Sequence, residues 1–217
     1  MLIQDIMQTK LVTATPDTPL MKVLRLLQGR GFRHVPVIEN EVLVGIISDR
    51  DVKQSMASAA TGAEGRERDQ LLDRLTAGQI MTRAVRTVGP MFTVEDAVKL
   101  MIAHRISAVP VTEGERLVGL VTETDVLHLF ARVMGVLEPS SRVGVLVRDE
   151  ERGLGDVVRA IEASGARVSS IITLGTVGGA REIVLRLATI DPRGAIKALT
   201  TAGFTVKTAA GNGGGER

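Results

Sequence analysis

Apolar residues in the first two-thirds of the chain fall into runs of two kinds, and the order of the runs repeats. Leu11-Val12-Thr13 reads as a short strand ended by Pro16. Asp17 or Thr18 can cap a helix with Pro19 in its first turn, and Leu20, Val23, Leu24 and Leu27 then recur at helical spacing until Gly29 and Gly31 stop it. Two apolar runs follow, 35–38 and 42–47, separated by the turn-like Glu39-Asn40-Glu41. Ser48 opens a second helix at Asp49. The same order of strand, helix, strand, strand, helix returns in the second copy: Met91 or Thr93 precedes a helix carrying Val94, Ala97, Val98 and Met101, and strands 108–111 and 117–121 flank Glu113-Gly114-Glu115.

The repetition is literal. Residues 6–52 align with 80–126 at a constant offset of 74 without a gap, and 15 of the 47 pairs are identical. An internal repeat sets the architecture before any other signal. The expected organisation is a first repeat over 1–60, a linker with a helical middle over 61–78, a second repeat over 79–138, a C-terminal domain over 139–210 and a disordered tail over 211–217. Pro139-Ser140-Ser141 marks the boundary of the C-terminal domain. That domain reads strand 143–147, helix 153–163, strands 168–174 and 183–188 around Gly178-Gly179, helix 192–202 and strand 204–206. This is the βαββαβ order of split-βαβ, ferredoxin-like folds, so the fold class expected for the whole chain is α+β.

Composition narrows the function. At 217 residues the chain suits two domains, on a prior of about 100–200 residues each. No apolar run approaches the roughly 20 residues of a membrane span, and the N-terminus lacks the basic and apolar regions of a signal peptide. With no cysteine, thiolate metal sites and cysteine nucleophiles are excluded, and a cytoplasmic location is expected. The net charge is +2 and basic residues are interspersed with acids, without the basic stripe of a nucleic-acid binder; four Phe with no Tyr or Trp leave few stacking groups. Neither nucleic acid nor membrane is an expected partner.

The chemistry lies where each repeat closes, in Gly45-Ile46-Ile47-Ser48-Asp49-Arg50-Asp51 and Gly119-Leu120-Val121-Thr122-Glu123-Thr124-Asp125. A strand runs straight into a helix, whose first N–H groups lack partners and favour phosphate. A Ser or Thr hydroxyl at that mouth can bond a phosphate oxygen, and an Asp one turn on suits a ribose diol. Arg33 offers a planar fork for phosphate. Ser-x-x-Asp and Thr-x-x-Asp also spell a capping box, in which the side chains serve only the helix's own donors. On the residues alone both readings stand.

With Val35-Pro36-Val37 and Val109-Pro110-Val111 before them, the two phrases resemble CBS domains, and the pair resembles a Bateman module. The resemblance covers residues 1 to about 135. It implies adenine-nucleotide binding (AMP, ADP, ATP or a related adenosyl compound) in clefts between the repeats. By that likeness Ser48, Asp51 and Arg33 share one cleft and Thr122 and Asp125 the other. Backbone beside Ile106-Ser107-Ala108 and Phe32-Arg33-His34 would line the adenine pockets. Arg33 aligns with Ser107, so the clefts are expected to differ, with the Ser48/Asp51 cleft taking more phosphates.

The C-terminal domain resembles an ACT domain through Gly144-Val145-Leu146-Val147, the charged loop 149–154 and Gly165-Ala166-Arg167-Val168. This implies an amino-acid-like ligand near Asp149, Gly153 and Leu154. Two CBS repeats followed by an ACT domain resemble the AcuB-type proteins of acetoin utilisation. His34, His104 and His128 have no metal-ligand spacing, Gly175-Thr176-Val177-Gly178-Gly179 reads as a hairpin turn, and no nucleophile–base pair emerges from spacing. The expectation is a non-enzymatic sensor, homodimeric, that regulates an enzyme or other protein. The alternative is a scaffold dimer with empty clefts.

Overall fold

The computed structural model describes residues 1–29, 32–61, 72, 74–148, 153–177 and 179–208. It divides into two compact units, Met1–Leu127 and His128–Arg217. The first opens with a 3-10 turn (Ile3–Asp5) and continues through α1 (Leu20–Gly29), β1 (His34–Glu39), β2 (Val42–Ser48), α2 (Asp49–Thr61) and α3 (Ala77–Ile80). Then come α4 (Val94–His104), β3 (Ala108–Glu113), β4 (Arg116–Thr122) and α5 (Glu123–Val133), which runs past the end of the unit. Helix α1 buries Leu20, Val23 and Leu27, the apolar stripe of its sequence. Each such side chain contributes roughly 1.5–3 kcal/mol by leaving water.

One expected element is absent in both repeats. Residues 11–13 form no strand; Ala14 alone bridges to Val37 in parallel, and Val88 does the same to Val111. Ala14 donates to the Pro36 carbonyl (3.0 Å) and accepts from Ile38 N–H (2.9 Å). The next parallel rung, at residue 12, would need an N–H from Pro36, which proline lacks. Pro110 blocks the matching rung in the second repeat. Each repeat therefore reads helix, strand, strand, helix, with its opening strand cut to one bridge.

Strands β1 and β2 form an antiparallel hairpin whose two-residue turn, Asn40-Glu41, takes positive φ at both positions (50° and 69°). The sheet order is β1-β2-β4-β3. The contacts between repeats occur in pairs exchanged by the offset of 74. Leu43 N–H donates to Glu115 O (3.1 Å) and Leu117 N–H to Glu41 O (3.4 Å). Gln8 bridges Leu120, and Thr82 bridges Ile46. The two copies thus meet through a self-complementary interface, the arrangement of an isologous dimer within one chain. The opening segment of each copy serves the other: Ala77 and Met81, which lead into the second repeat, are buried in the first repeat's core with Val35, Val37 and Ile47.

In the second unit β5 (Ser141–Val147), α6 (Leu154–Glu162), β6 (Val168–Val177), β7 (Ala180–Leu187), α7 (Arg193–Thr201) and β8 (Thr205–Thr208) follow in that order. The sheet order is β6-β7-β5-β8, all pairs antiparallel, as in a split-βαβ fold. Val143, Val145, Ile183, Leu185 and Leu187 on the sheet pack with Val157, Ile161, Ala195 and Leu199 of the helices. In the linker, Leu72 and Arg74 are helical and the stretch before them lies outside the described residues, as do the tail 211–217 and Asp149. Among the described residues no helix is long and apolar enough to cross a membrane, and no group of acidic or histidine side chains is placed to hold a metal.

Candidate functional site

The two closing phrases fold into the same device. Asp51 Oδ2 accepts from Ser48 N–H (2.7 Å) and Ser48 Oγ (2.7 Å), while Asp51 N–H donates to Ser48 Oγ (3.3 Å). Asp125 Oδ2 accepts from Thr122 N–H (2.8 Å) and Oγ1 (2.6 Å), and Asp125 N–H returns a bond of 3.3 Å. Thr93 and Asp96 make the same box at the start of α4, at 3.1, 2.6 and 3.2 Å. The capping reading is therefore realised in the geometry. It engages only one oxygen of each carboxylate. Capping and ligand contact are compatible at a single Asp, which the sequence presents as alternatives.

A cleft of about 370 Å³ opens where α5 begins. Thr122, Thr124 and Asp125 of the second repeat line one side; Lys10, Arg33 and His34 of the first line the other. Arg33 is tied to both repeats. Its carbonyl accepts from Asp49 N–H (3.0 Å), and its guanidinium reaches Thr124 Oγ1 (3.3 Å). This corrects the expected grouping: backbone pairing holds Arg33 beside the Ser48 end of β2, but its long side chain projects across to α5. The guanidinium belongs with Thr122 and Asp125. Phe32 and Pro36 supply apolar wall, so the cleft combines two cations, a carboxylate and a flat apolar flank.

Asp51 lines a second, more open cleft of about 560 Å³ with Gln54, Ser55 and Ser58 of α2 and with Gln79. Neither Ser48 nor Arg33 lines that cleft, so the expected trio of Ser48, Asp51 and Arg33 is not assembled in one place. Ile106, Ser107 and Ala108 line neither cleft. Ser107 instead bonds His34 Nε2 through its hydroxyl (3.1 Å) and accepts from Glu123 N–H (3.0 Å). Burial pushes the His34 imidazole below the ordinary histidine value and the Arg33 guanidinium adds to that, while Asp49, Asp51 and Glu123 pull the other way. His34 is thus favoured neutral at the contact between the repeats.

Among the polar residues of the Asp125 cleft, Gln8, Lys10 and Thr124 escaped the sequence reading. The repeat held the signal. At the offset of 74 Gln8 faces Thr82, Lys10 faces Ala84 and Thr124 faces Arg50, mismatches of the same kind as Arg33 and Ser107. In the C-terminal unit Gly153 N–H is bonded to Asp156 Oδ2 (2.9 Å) at the mouth of α6, and Leu154 is 42% exposed.

Paired helix–hairpin–helix repeats, exchanged opening segments and clefts at the second helix of each copy define a tandem CBS pair. The CBS domain model matches residues 3–58 and 77–132, and the chain belongs to that family. A CBS domain-containing protein of Dictyostelium discoideum is 30% identical over 142 residues, covering 64% of this chain and 98% of that protein. The CBS domain pair of protein MJ0100, solved in complex with 5′-methylthioadenosine and S-adenosyl-L-methionine, is 28% identical with a TM-score of 0.52, covering 61% of this chain and 97% of that one. The structure of the Vibrio cholerae protein described as AcuB is 23% identical with a TM-score of 0.53, covering 63% of this chain and 94% of that one; this likeness concerns the fold.

Proposed function

We propose that the protein is a regulatory sensor of adenosine-containing ligands, and that its cleft at Thr122 and Asp125 takes the more highly phosphorylated ones. The observation that carries this is the convergence of Lys10 and Arg33 with Thr122 and Asp125 on one 370 Å³ cleft. That volume falls in the usual range of about 300–1,000 Å³ for small-molecule sites. Asp125 would accept from the ribose diol. Thr122, at the positive end of the α5 dipole, would meet phosphate, and the cations would neutralise its further charges. Phe32 and Pro36 would flank the base. The adenosyl ligands of the MJ0100 pair support the ligand class. The Asp51 cleft, without those two cations, would favour ligands of lower charge. A ligand that binds one arrangement of the repeats better than another shifts their equilibrium, and that shift is the regulatory signal to a partner enzyme or other protein.

Calorimetric titration with AMP, ADP, ATP and S-adenosylmethionine tests the reading. Arg33→Ala is expected to weaken ATP binding about ten-fold or more, the scale of a lost charge-assisted hydrogen bond, and AMP binding by less. Asp125→Ala is expected to reduce ATP binding more than Asp51→Ala. Absence of binding to the unaltered protein at millimolar ligand defeats the reading and leaves the scaffold, with its caps complete and its clefts empty.

The same proposal extends to the C-terminal unit as an ACT-type domain, supported by its strand order β6-β7-β5-β8 and by Gly153 and Leu154 at the mouth of α6. It also takes the functional form to be a homodimer. Met91, Phe92 and Ile102 around α4 are 68%, 50% and 74% exposed, an apolar set that a second copy would cover.

A further inference from the structure

Gln8 enters the cleft from the other repeat. Its backbone is held on both sides, donating to and accepting from Leu120 at 2.9 and 3.0 Å, so the side chain departs from a fixed point. Its amide Nε2 donates to Asp125 Oδ1 at 2.9 Å. Oδ1 is the oxygen that the helix cap leaves over, since Oδ2 carries both bonds from Thr122. The two oxygens of Asp125 are therefore both engaged. The first repeat differs at this point. Thr82 occupies the place of Gln8, and among the described residues the Asp51 carboxylate is bonded only through Oδ2.

We infer that Gln8 is a latch on the ribose acceptor of the Thr122/Asp125 cleft, and that it raises the threshold for every ligand that binds there through its ribose diol. The inference rests on the adenosine reading above. A ribose diol that donates to Asp125 must displace the Gln8 amide or share its oxygen, and a displaced amide loses a bond to a charged acceptor. The loss is the same for every ligand that uses the diol, so a nucleoside or monophosphate, lacking the further phosphate contacts with Lys10 and Arg33, is the first to fall below useful affinity. The latch thus lowers the affinity of every ligand that uses the diol by the same factor, and the preference for polyphosphates comes from Lys10 and Arg33. Among the described residues no such competitor meets the Asp51 carboxylate, so a diol would reach its second oxygen directly. Ligand entry also frees the Gln8 side chain, which belongs to the opening segment that crosses between the repeats, so the latch connects occupancy with that crossing.

The test uses the full chain carrying Asp51→Asn, which retains a cap acceptor and leaves one intact cleft, and compares it with the same chain carrying Gln8→Ala or Gln8→Thr. Gln8→Thr installs the residue the second repeat already carries at this place, so it guards against a folding defect. By calorimetry both substitutions are expected to tighten AMP binding by about three- to ten-fold, the net worth of an ordinary hydrogen bond, since the exposed Gln8 amide is rehydrated when displaced. ATP is expected to gain by the same factor, and 2′-deoxy-AMP, which has lost half the diol, by less than AMP. Unchanged or weaker AMP binding overturns the latch while leaving the adenosine reading intact. An equal gain for the 2′-deoxy ligand also overturns it, because the released oxygen would not be reading the diol. If neither the unaltered protein nor any Gln8 variant binds AMP or ATP, the adenosine reading falls and the latch with it.

Discussion

Asp125 divides its carboxylate between two tasks. Oδ2 closes the cap of α5, and Oδ1 faces the cleft and meets Gln8. From the residue types alone, Thr-x-x-Asp is a cap or a ligand anchor, because spacing along a helix says nothing about which oxygen points where. His34 poses the opposite case: nothing in its spacing marks it, yet tertiary packing gives it a defined protonation state. Burial holds its folded pKa below the ordinary 6.5, so the unfolded chain binds more protons as pH falls through that value. Well above 6.5 His34 is neutral in both states and the shift has no effect; as pH falls through 6.5 stability is lost, until the folded form titrates as well. Denaturant unfolding from neutral to mildly acid pH is therefore expected to show a steeper loss for the unaltered protein than for His34→Gln. Equal slopes would exclude His34 as a source of the loss.

Among the elements, the two hairpins and the helices flanking them were legible because their signals are local: apolar runs bounded by turn residues, and caps ahead of helical stripes. The false strand at 11–13 had the right composition. It failed because Pro36, on the strand it would have joined, removes the donor for the next rung. The glycine of each closing phrase had no local explanation either. A Cβ on Gly45 would run into the Sδ and Cγ of Met81, and one on Gly119 would lie 2.5 Å from Met7 Sδ. Each repeat's glycine makes room for the methionine that opens the other repeat. Gly45→Ala is expected to cost about 1–3 kcal/mol through overpacking. In combination with Met81→Ala the total should fall short of the sum of the single losses, by about 0.5–3 kcal/mol. Strict additivity in a denaturant-measured double-mutant cycle would show that the two do not meet.

For the molecule as a whole, the repeat predicted a duplicated fold, and the paired cross-repeat bonds show how one chain completes an isologous contact within itself. That internal symmetry leaves the apolar group at Met91, Phe92 and Ile102 without cover in the single chain. Sedimentation equilibrium is expected to give twice the chain mass of 23.1 kDa, and Ile102→Glu is expected to return the protein to that mass. A monomer in the unaltered protein would remove the proposed dimer and leave the clefts, which lie within one chain, untouched.

The sequence by itself determined the duplication, the hairpins, the caps at Ser48 and Thr122 and the βαββαβ order of the second unit. All of these rest on periodicity, turn chemistry or identity at a fixed offset, which operate over a few residues or between equal segments. The first helix begins at Leu20, past the expected cap at Asp17 or Thr18, and the Thr18 hydroxyl bonds Thr15 instead. Only the tertiary structure decided that Arg33, Lys10 and Gln8 of one repeat attend Asp125 of the other. An arginine's backbone and its guanidinium can belong to different repeats, and only the crossing of the opening segments determines which carboxylate lies within reach.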